Sequence, residues 1–369
     1  MATLKELADR TGYSPATISR ILNGDPSLSV SEEARRKVLE EAGRLNYTAT
    51  RSRRGRTLKG LLRVGVAEML SPAQQLDDPY YLYLSGFVRQ GCLDRKYTCL
   101  PLEQRGEGFA SPEGAALDGI VAIGLFSPAQ IEAMAALTPN VVFLDSSPWE
   151  SRFDSVTLGY ELGISLALEH LTGLGHQRIS FIGPAYKLDD RRQPAPEVRR
   201  SLFIRLMEGR GLLDRRLLLD CPMDAEAAAR AVEEFLRSGI PLPTAFLCAN
   251  EDSAIGALRA LRHAEISVPG QVSVVSFNDT PRSALVDPPL TSVSTHVDEM
   301  ARTALRLLVE RAALPGKQPV RAIPLKVVVP PSLTVRESSG PAPAREICTE
   351  GALRACAQRR SFSAMSSAY

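Results

Sequence analysis

The 369-residue chain lacks the segments that mark membrane, secreted and disulfide-built proteins. No run of eighteen apolar residues occurs, which excludes an ordinary membrane-spanning helix. Acidic and polar residues stand near the N-terminus, where a secretory signal needs an apolar core. The six cysteines have no C-x-x-C spacing, so buried or free thiols are expected rather than a zinc site or a disulfide framework: Cys92, Cys99, Cys221, Cys248, Cys348 and Cys356. We therefore expect a soluble, cytoplasmic protein.

The sequence also lacks the common catalytic motifs. It contains no G-x-x-x-x-G-K-[ST] phosphate loop, no G-x-G-x-x-G and no G-x-S-x-G nucleophile elbow. The four histidines, His170, His176, His263 and His296, are not spaced as metal ligands. We expect no catalytic residue, no metal and no cofactor, and keep an enzyme as the rival class.

The first twenty-three residues predict two short helices joined by a turn. Each segment carries a narrow apolar stripe at helical spacing, Leu4, Leu7 and Ala8 in the first and Ile18, Ile21 and Leu22 in the second. Gly12 can take the positive φ of a tight helix exit, Ser14 can cap the second helix, and Pro15 suits its first position. The small, polar, cationic outer face of the second helix consists of Ala16, Thr17, Ser19, Arg20 and Asn23. This pattern is typical of a helix-turn-helix that enters the major groove of DNA.

A third helix and an uneven charge distribution support this interpretation. Ser29 and Glu32 have the spacing of a capping box before an apolar helical face. Residues 1–60 contain twelve Lys and Arg against seven Asp and Glu, a charge of +5, and since the chain carries +2 in total, the remainder carries −3. Positive charge is thus concentrated in the N-terminal segment, which would contact the phosphates of DNA. A three-helix adaptor that contacts only protein is the alternative.

Several motifs resemble those of one bacterial family. TLKELADRTGYSPATISRILN and SVSEEARRKVLEEAGRLNY resemble the DNA-binding headpiece of the lactose-repressor and galactose-repressor family, on the branch that includes the repressor of the evolved β-galactosidase. HLTGLGHQRISFIG, CANEDSAIGALRAL, VSVVSFNDT and DPPLTSVSTHVDEMA resemble further family motifs in the family's order, and the resemblance covers residues 2–337. The headpiece pattern and the resemblance together nominate these DNA contacts: Thr3, Ser14, Pro15, Ala16, Thr17, Ser19, Arg20, Asn23, Ser31, Tyr47, Arg51 and Arg54.

The chain divides into four predicted segments. These are a headpiece (1–46), a basic linker (47–60), a core (61–337) and a flexible tail of small and polar residues (338–369). In the family, the linker forms a hinge helix on operator, with an apolar wedge nine residues after a tyrosine; counted from Tyr47, that position is Arg56 here. Two hypotheses stay open for the arginines of this linker, entry into the minor groove or a solvated basic tether.

The core alternates short apolar runs with helical patterns. Strands such as GIVAIGL, VVFLDS, RISFIG and VSVVSFN are apolar at nearly every position, which predicts parallel sheets covered on both faces. The number of βα units favours two doubly wound α/β subdomains with a cleft between them, and the resemblance implies the same fold as periplasmic sugar-binding proteins. SVSTHVDEMA and AIPLKVVV are expected to lie in different lobes from their neighbours in the sequence.

Ligands of open α/β sheets bind beyond the carboxyl ends of the strands. Asp145, Asn250 and Asn278 end strands, and the resemblance places Arg199 where the family holds a sugar hydroxyl and Asp145 and Asn250 on effector contacts. The predicted effector-binding residues are Tyr80, Tyr81, Asp145, Trp149, Arg199, Asn250 and Asn278. Each aromatic has a second interpretation: the tyrosines as core residues of a helix, and Trp149 as the anchor of a surface loop.

The function expected from the resemblance is that of a DNA-binding regulator. A homodimer would bind a pseudo-palindromic double-stranded operator and repress carbohydrate-utilisation genes until a sugar enters the core. The branch that the chain resembles favours a galactoside as this sugar. A sugar-responsive activator and a sugar-processing enzyme with an accessory DNA-binding domain are the alternatives. No membrane partner is expected.

Overall fold

The computed structural model describes residues 4–22, 30–44, 62–77, 79–190, 192–312 and 318–343. The chain divides after Lys59 into two compact units. The predicted linker and the tail from residue 344 onward lie outside the described residues. Among the described helices, none has the length and apolar character needed to cross a bilayer.

The described residues of the first unit form three helices around a small core. They are α1 (Leu4–Thr11), α2 (Pro15–Leu22) and α3 (Glu32–Arg44). Gly12, at φ 79°, ends α1, and the Ser14 hydroxyl accepts a hydrogen bond from the Thr17 amide at 3.1 Å at the start of α2. Both predicted signals therefore operate as expected. The buried apolar side chains that join the helices are Leu7, Ile18, Ile21, Val38 and Ala42.

The cap of α3 differs from the predicted one. The helix begins at Glu32, and the Ser31 hydroxyl accepts a hydrogen bond from the Ala34 amide at 3.2 Å. Ser29 lies outside the described residues. The sequence has a serine at position 29 and another at position 31, and Ser31 is the one whose hydroxyl accepts from a free amide in the first turn of the helix.

The second unit is built from strands and helices in alternation. The strands are β1 (Arg63–Glu68), β2 (Thr98–Pro101), β3 (Glu103–Arg105), β4 (Gly108–Ala110), β5 (Gly119–Ile123), β6 (Val141–Leu144), β7 (Asp154–Leu158), β8 (Ile179–Ile182), β9 (Tyr186–Leu188), β10 (Pro194–Pro196), β11 (Leu218–Leu219), β12 (Ala245–Cys248), β13 (Ser273–Asn278), β14 (Thr291–Ser294), β15 (Lys326–Val329) and β16 (Ser332–Thr334). The helices are α4 (Pro72–Asp77), α5 (Pro79–Asp94), α6 (Pro128–Leu137), α7 (Tyr160–Gly173), α8 (Val198–Gly209), α9 (Ala225–Arg237), α10 (Glu251–His263) and α11 (Val297–Arg311).

Two six-stranded sheets organise this unit into two lobes. The first lobe has the strand order β15-β7-β6-β5-β1-β2, all parallel. The second lobe has the order β11-β8-β12-β13-β14-β16, in which β16 runs antiparallel to β14. Strands β5, β6, β8 and β12 are buried at every residue, because helices cover both faces of each sheet. In β5, for example, Val121 packs on the side of α5 and α11, while Ile120 packs on the side of α6.

Within the part of the chain that the structure describes, the backbone passes between the lobes three times. It crosses between β7 and α7, returns between β14 and α11, and crosses again between β15 and β16. Helix α11 packs on α5 and on strands of the first lobe, whereas β14 belongs to the second lobe. The expectation that SVSTHVDEMA and AIPLKVVV leave the lobe of their neighbours is confirmed. Three connecting segments of this kind allow the lobes to move relative to each other without unfolding.

The core extends past the boundary predicted at residue 337. The buried Ser338 hydroxyl donates to the Val274 carbonyl at 2.6 Å and accepts from the Thr291 amide at 2.8 Å. Further along, the Ala342 amide donates to the Leu174 carbonyl at 2.8 Å. The assignment of residues 338–343 to a flexible tail was therefore wrong. Small polar residues leave no periodic apolar signal, and what fixes this segment is hydrogen bonding.

A buried carboxylate holds strand β15 beside β7. Asp154 is 0% exposed and accepts hydrogen bonds from Arg321 Nη1 at 2.7 Å and Nη2 at 2.9 Å, from Arg311 at 3.4 Å and from the Leu325 amide at 2.6 Å. Asp154→Ala should lower the free energy of unfolding of the second unit by about 3–5 kcal/mol, because two partly buried arginines lose the carboxylate that they share. Urea denaturation followed by circular dichroism measures this. Asp298→Ala, which breaks an exposed ion pair with Arg302, should cost about 1 kcal/mol or less; equal losses in the two variants would contradict the role of Asp154.

Candidate functional site

The ends of three strands meet at a cavity between the lobes. Asp145 follows β6 in the first lobe, while Asn250 follows β12 and Asn278 ends β13 in the second. Asp145 and Asn278 have positive φ values, 69° and 102°, in the region that Asp and Asn tolerate better than most residues. These turns stop the strands and leave short polar side chains lining the cavity.

Three tyrosines converge on Asp145. The hydroxyls of Tyr80 and Tyr160 donate to Oδ1 at 3.1 and 3.4 Å, and that of Tyr81 donates to Oδ2 at 2.9 Å. Tyr80 and Tyr81 lie in the first turn of α5 and are also part of the hydrophobic core of the first lobe. The interpretation of Tyr80 and Tyr81 as core residues is confirmed, and both also line the cavity, while a contact with an effector stays a prediction. Burial raises the pKa of Tyr80 well above its ordinary value, so its hydroxyl stays a donor at neutral pH.

Arg199 approaches the cavity from the second lobe. It is 6% exposed, and its Nε donates to Glu197 Oε1 at 2.7 Å, Nη1 to the Ala249 carbonyl at 2.6 Å, and Nη2 to Met223 Sδ at 3.1 Å. Next to it, Asn250 caps α10 by accepting from the Ser253 amide at 2.9 Å and donates to the Met223 carbonyl at 2.9 Å. Packed protein contacts thus orient the planar donors of both side chains before any ligand arrives.

The cavity has an inner and an outer part. The inner part is about 30 Å³, little more than a water molecule needs, because its lining groups bond one another. The outer part is about 390 Å³, within the size range of small-molecule sites. Six residues line both parts, so the two are adjacent: Tyr81, Asp145, Leu158, Tyr160, Lys187 and Arg199. A carboxylate acceptor, guanidinium and amide donors, and aromatic rings suit a ligand rich in hydroxyl groups.

Most of the predicted effector-binding residues lie together. The inner cavity is lined by Tyr80, Tyr81, Asp145, Arg199, Asn250 and Asn278. Trp149 is not among the residues that line either part; it stacks on Phe153, with ring centroids 6.2 Å apart, and lies under the Arg152 guanidinium. This position matches its interpretation as a loop anchor. Sequence reasoning did not identify Tyr160, Lys187, Met223 or Thr295; Tyr160 lies just beyond β7, a strand that the sequence pattern did not reveal.

Acidification should weaken the binding of a hydroxyl-rich ligand at this cavity. Burial raises the pKa of Asp145 above its ordinary value of 3.8, although Lys187 and the tyrosine hydroxyls oppose the shift. Protonation then removes an acceptor at a higher pH than for an exposed aspartate, and affinity should fall by about tenfold per pH unit below that pKa. Titration calorimetry from pH 8 down to the lowest pH at which the protein stays folded measures this, and Asp145→Asn should abolish the dependence. Parallel losses in both proteins would assign the titration to another group.

The structure describes part of the predicted DNA-binding surface. Ser14, Pro15 and Arg20 are exposed and Thr17 is half-buried, whereas Ile18 and Ile21 of α2 are buried in the headpiece core. Ser31 is exposed and caps α3. Thr3, Asn23, Tyr47, Arg51 and Arg54 lie outside the described residues, as do the side chains of Ala16 and Ser19. The exposed part of α2 thus has the small and cationic character that a recognition helix needs.

Known proteins match both units. The model of bacterial regulatory proteins of the lacI family matches residues 3–49, and that of the periplasmic binding protein-like domain matches residues 168–339. The chain is 33% identical over 317 residues to the HTH-type transcriptional regulator GanR of Bacillus subtilis (strain 168), covering 84% of this chain and 93% of that protein. It is 30% identical over 350 residues to the HTH-type transcriptional repressor MelR of the same organism, covering 92% and 98%. The solved Lac repressor dimer bound to operator and the anti-inducer ONPF has the same fold, with a TM-score of 0.61 at 24% identity over 92% of this chain and 99% of that one.

Proposed function

The chain belongs to the lacI family of bacterial regulatory proteins, and from this we propose that it represses carbohydrate-utilisation genes until a sugar binds in its interlobe cavity. The observation that carries the proposal is the meeting of Asp145 from one lobe with Arg199, Asn250 and Asn278 from the other. A ligand that bonds both sets favours one arrangement of the lobes over others, which is the requirement for a ligand-driven switch.

Operator recognition is assigned to α2. A helix of eight residues offers few side chains to base edges, so one headpiece specifies too short a site for a genome. Two copies on a pseudo-palindromic operator double the contacts, and we assign dimer formation to the second unit. The relative solved as a dimer on operator supports this assembly. The protein acts in the cytoplasm, by binding rather than by catalysis; the relatives GanR and MelR are transcriptional regulators.

Coupling between sugar and operator follows from the two-lobed core. A sugar that shifts one lobe against the other also shifts the dimer interface and changes the separation or the order of the two linkers. A coupling free energy of about 1–3 kcal/mol changes operator affinity by about 5- to 150-fold. A galactoside is the first effector to test, since the headpiece and core motifs resemble the branch of the evolved β-galactosidase repressor.

Gel shifts with the full-length protein test the proposal. An operator is first selected from duplexes carrying a randomised 20-base-pair segment, and its binding is then measured with and without galactose, lactose, melibiose and glucose. We expect the selected duplexes to share an inverted repeat and one sugar to lower operator affinity at least fivefold. A protein that stays monomeric and does not bind duplex DNA at low ionic strength would refute the DNA-binding function. Operator binding that no sugar changes would refute regulation by a sugar.

A further inference from the structure

A β-hairpin of the second lobe reaches the first lobe across the mouth of the cavity. Strands β9 and β10 lie between β8 and α8 and pair antiparallel, with Tyr186 opposite Pro196. Hydrogen bonds between described residues connect this hairpin to the first lobe. The Ser147 amide donates to Asp190 Oδ2 at 3.2 Å, and Arg192 Nη1 donates to Gln130 Oε1 at 3.2 Å. The hairpin thus connects the two lobes and also lines one side of the cavity.

The hairpin supplies one side of the outer cavity. Its contribution is Lys187, Leu188, Asp189, Asp190, Ala195 and Pro196. The first lobe supplies the opposite side, which includes Leu125, Ser146, Ser147, Thr157 and Lys326. This outer space of about 390 Å³ opens directly onto Asp145 and Arg199, which line both parts. A ligand held by those two groups therefore has room to extend toward the hairpin.

The charges of the outer cavity favour a neutral ligand. Its lining includes four carboxylates, Asp145, Asp189, Asp190 and Glu197, against three cations, Lys187, Arg199 and Lys326. Such a mixture gives a phosphate or carboxylate ligand little net attraction, yet it offers donors and acceptors to hydroxyl groups. Apolar surface from Leu125, Leu188 and Pro196 suits the C–H face of a sugar ring.

We propose that the hairpin Tyr186–Pro196 builds a second sugar subsite, so that the effector is a glycoside of at least two units rather than a monosaccharide. This inference rests on the proposed function. One unit is bound by the strand-end side chains Asp145, Asn250 and Asn278 together with Arg199, and the next unit lies in the outer cavity against the hairpin. The contacts of Asp190 and Arg192 with the first lobe then hold the cavity closed around the longer ligand.

Calorimetry on the full-length protein tests the subsite. Galactose is compared with lactose and melibiose, and glucose with cellobiose and maltose. We expect one disaccharide to bind at least tenfold tighter than either monosaccharide. The combined substitution Leu125→Ala with Leu188→Ala changes apolar side chains that line the outer part alone and form no hydrogen bond between the lobes. It should weaken that disaccharide about tenfold and leave monosaccharide affinity within twofold, while Gln193→Ala, an exposed position of the same hairpin outside the lining, should change neither.

The results of these experiments distinguish failure of the second sugar subsite from failure of the proposed function. Monosaccharides that bind as tightly as every disaccharide, or a double variant that loses both ligand classes equally, would overturn the subsite while leaving a sugar-responsive regulator. A wild-type protein that binds none of these sugars, although it binds its selected operator, would overturn the sugar effector and the subsite with it. Thermal unfolding of the variants at the wild-type temperature excludes loss of fold as the cause of weaker binding.

Discussion

Replacing Arg20 with alanine should weaken operator binding by at least thirtyfold and leave sugar affinity unchanged. Arg20 is exposed on α2, while Ile18 and Ile21 are buried in the headpiece core. A guanidinium that bonds a guanine edge contributes about 1–3 kcal/mol. A dimer loses two such contacts, so the expected loss is about 2–6 kcal/mol, or between about thirtyfold and ten-thousandfold. Fluorescence anisotropy with the selected operator measures it.

A matched variant distinguishes base recognition from general charge. Arg36→Ala removes the same charge from an exposed position of α3, where Arg36 pairs with Glu40. If Arg20 bonds bases, its loss should affect operator more than a scrambled duplex; a phosphate contact would be lost equally from both and would lower the salt dependence by about one unit per copy. Equal losses of operator affinity in the Arg20 and Arg36 variants would contradict the assignment of operator recognition to α2.

Local sequence patterns predicted the regular elements well. Residues 225–237 predict a helix, and α9 has these bounds because its apolar stripe is strong and Asp224 caps its first turn. Residues 253–263 predict another helix, but α10 begins two residues earlier, since Asn250 both ends the strand region and caps the helix. Fully apolar runs identified β5, β6, β8 and β13, as parallel strands buried on both faces require.

The elements that sequence reasoning missed have weak patterns. Helix α6 is apolar on most sides and lies between two strands, so it shows no helical stripe. Strand β7 begins with the buried charge of Asp154, whose partners Arg311 and Arg321 come more than 150 residues later. The hairpin of β9 and β10 is exposed at nearly every position and contains two prolines. Periodicity cannot reveal such elements, because tertiary contacts rather than burial patterns define them.

Sequence reasoning located part of the candidate site. The rule that ligands bind at the carboxyl ends of parallel strands located Asp145, Asn250 and Asn278, and all three line one cavity. The three tyrosines bonded to Asp145 come from positions 80, 81 and 160, and their convergence depends on how α5 packs in the first lobe. Lys187 belongs to the hairpin that was not predicted, so its place at the cavity could not be inferred.

Arg199→Ala should abolish the response to sugar while preserving operator binding. The guanidinium lies at the cavity and holds Glu197, the Ala249 carbonyl and Met223 in place. A hydrogen bond from a charged donor to a ligand is worth about 1.5–3 kcal/mol, so sugar affinity should fall roughly ten- to a hundredfold. Repression would then persist at sugar concentrations that release the wild-type protein. Calorimetry for the sugar and anisotropy for the operator separate the two effects.

Stability is the confounding factor, because Glu197 is only 2% exposed and loses its partner in that variant. Removing one member of a buried ion pair costs about 3–5 kcal/mol, whereas replacing both by neutral side chains of similar size is often tolerated. Glu197→Gln combined with Arg199→Met should therefore recover much of the stability and still bind sugar as weakly as Arg199→Ala. Arg205→Ala, on the same helix with an exposed ion pair to Glu161, should bind sugar normally. If the stabilised double variant regained wild-type sugar affinity, the guanidinium would be a structural support of the second lobe and not a ligand-binding group.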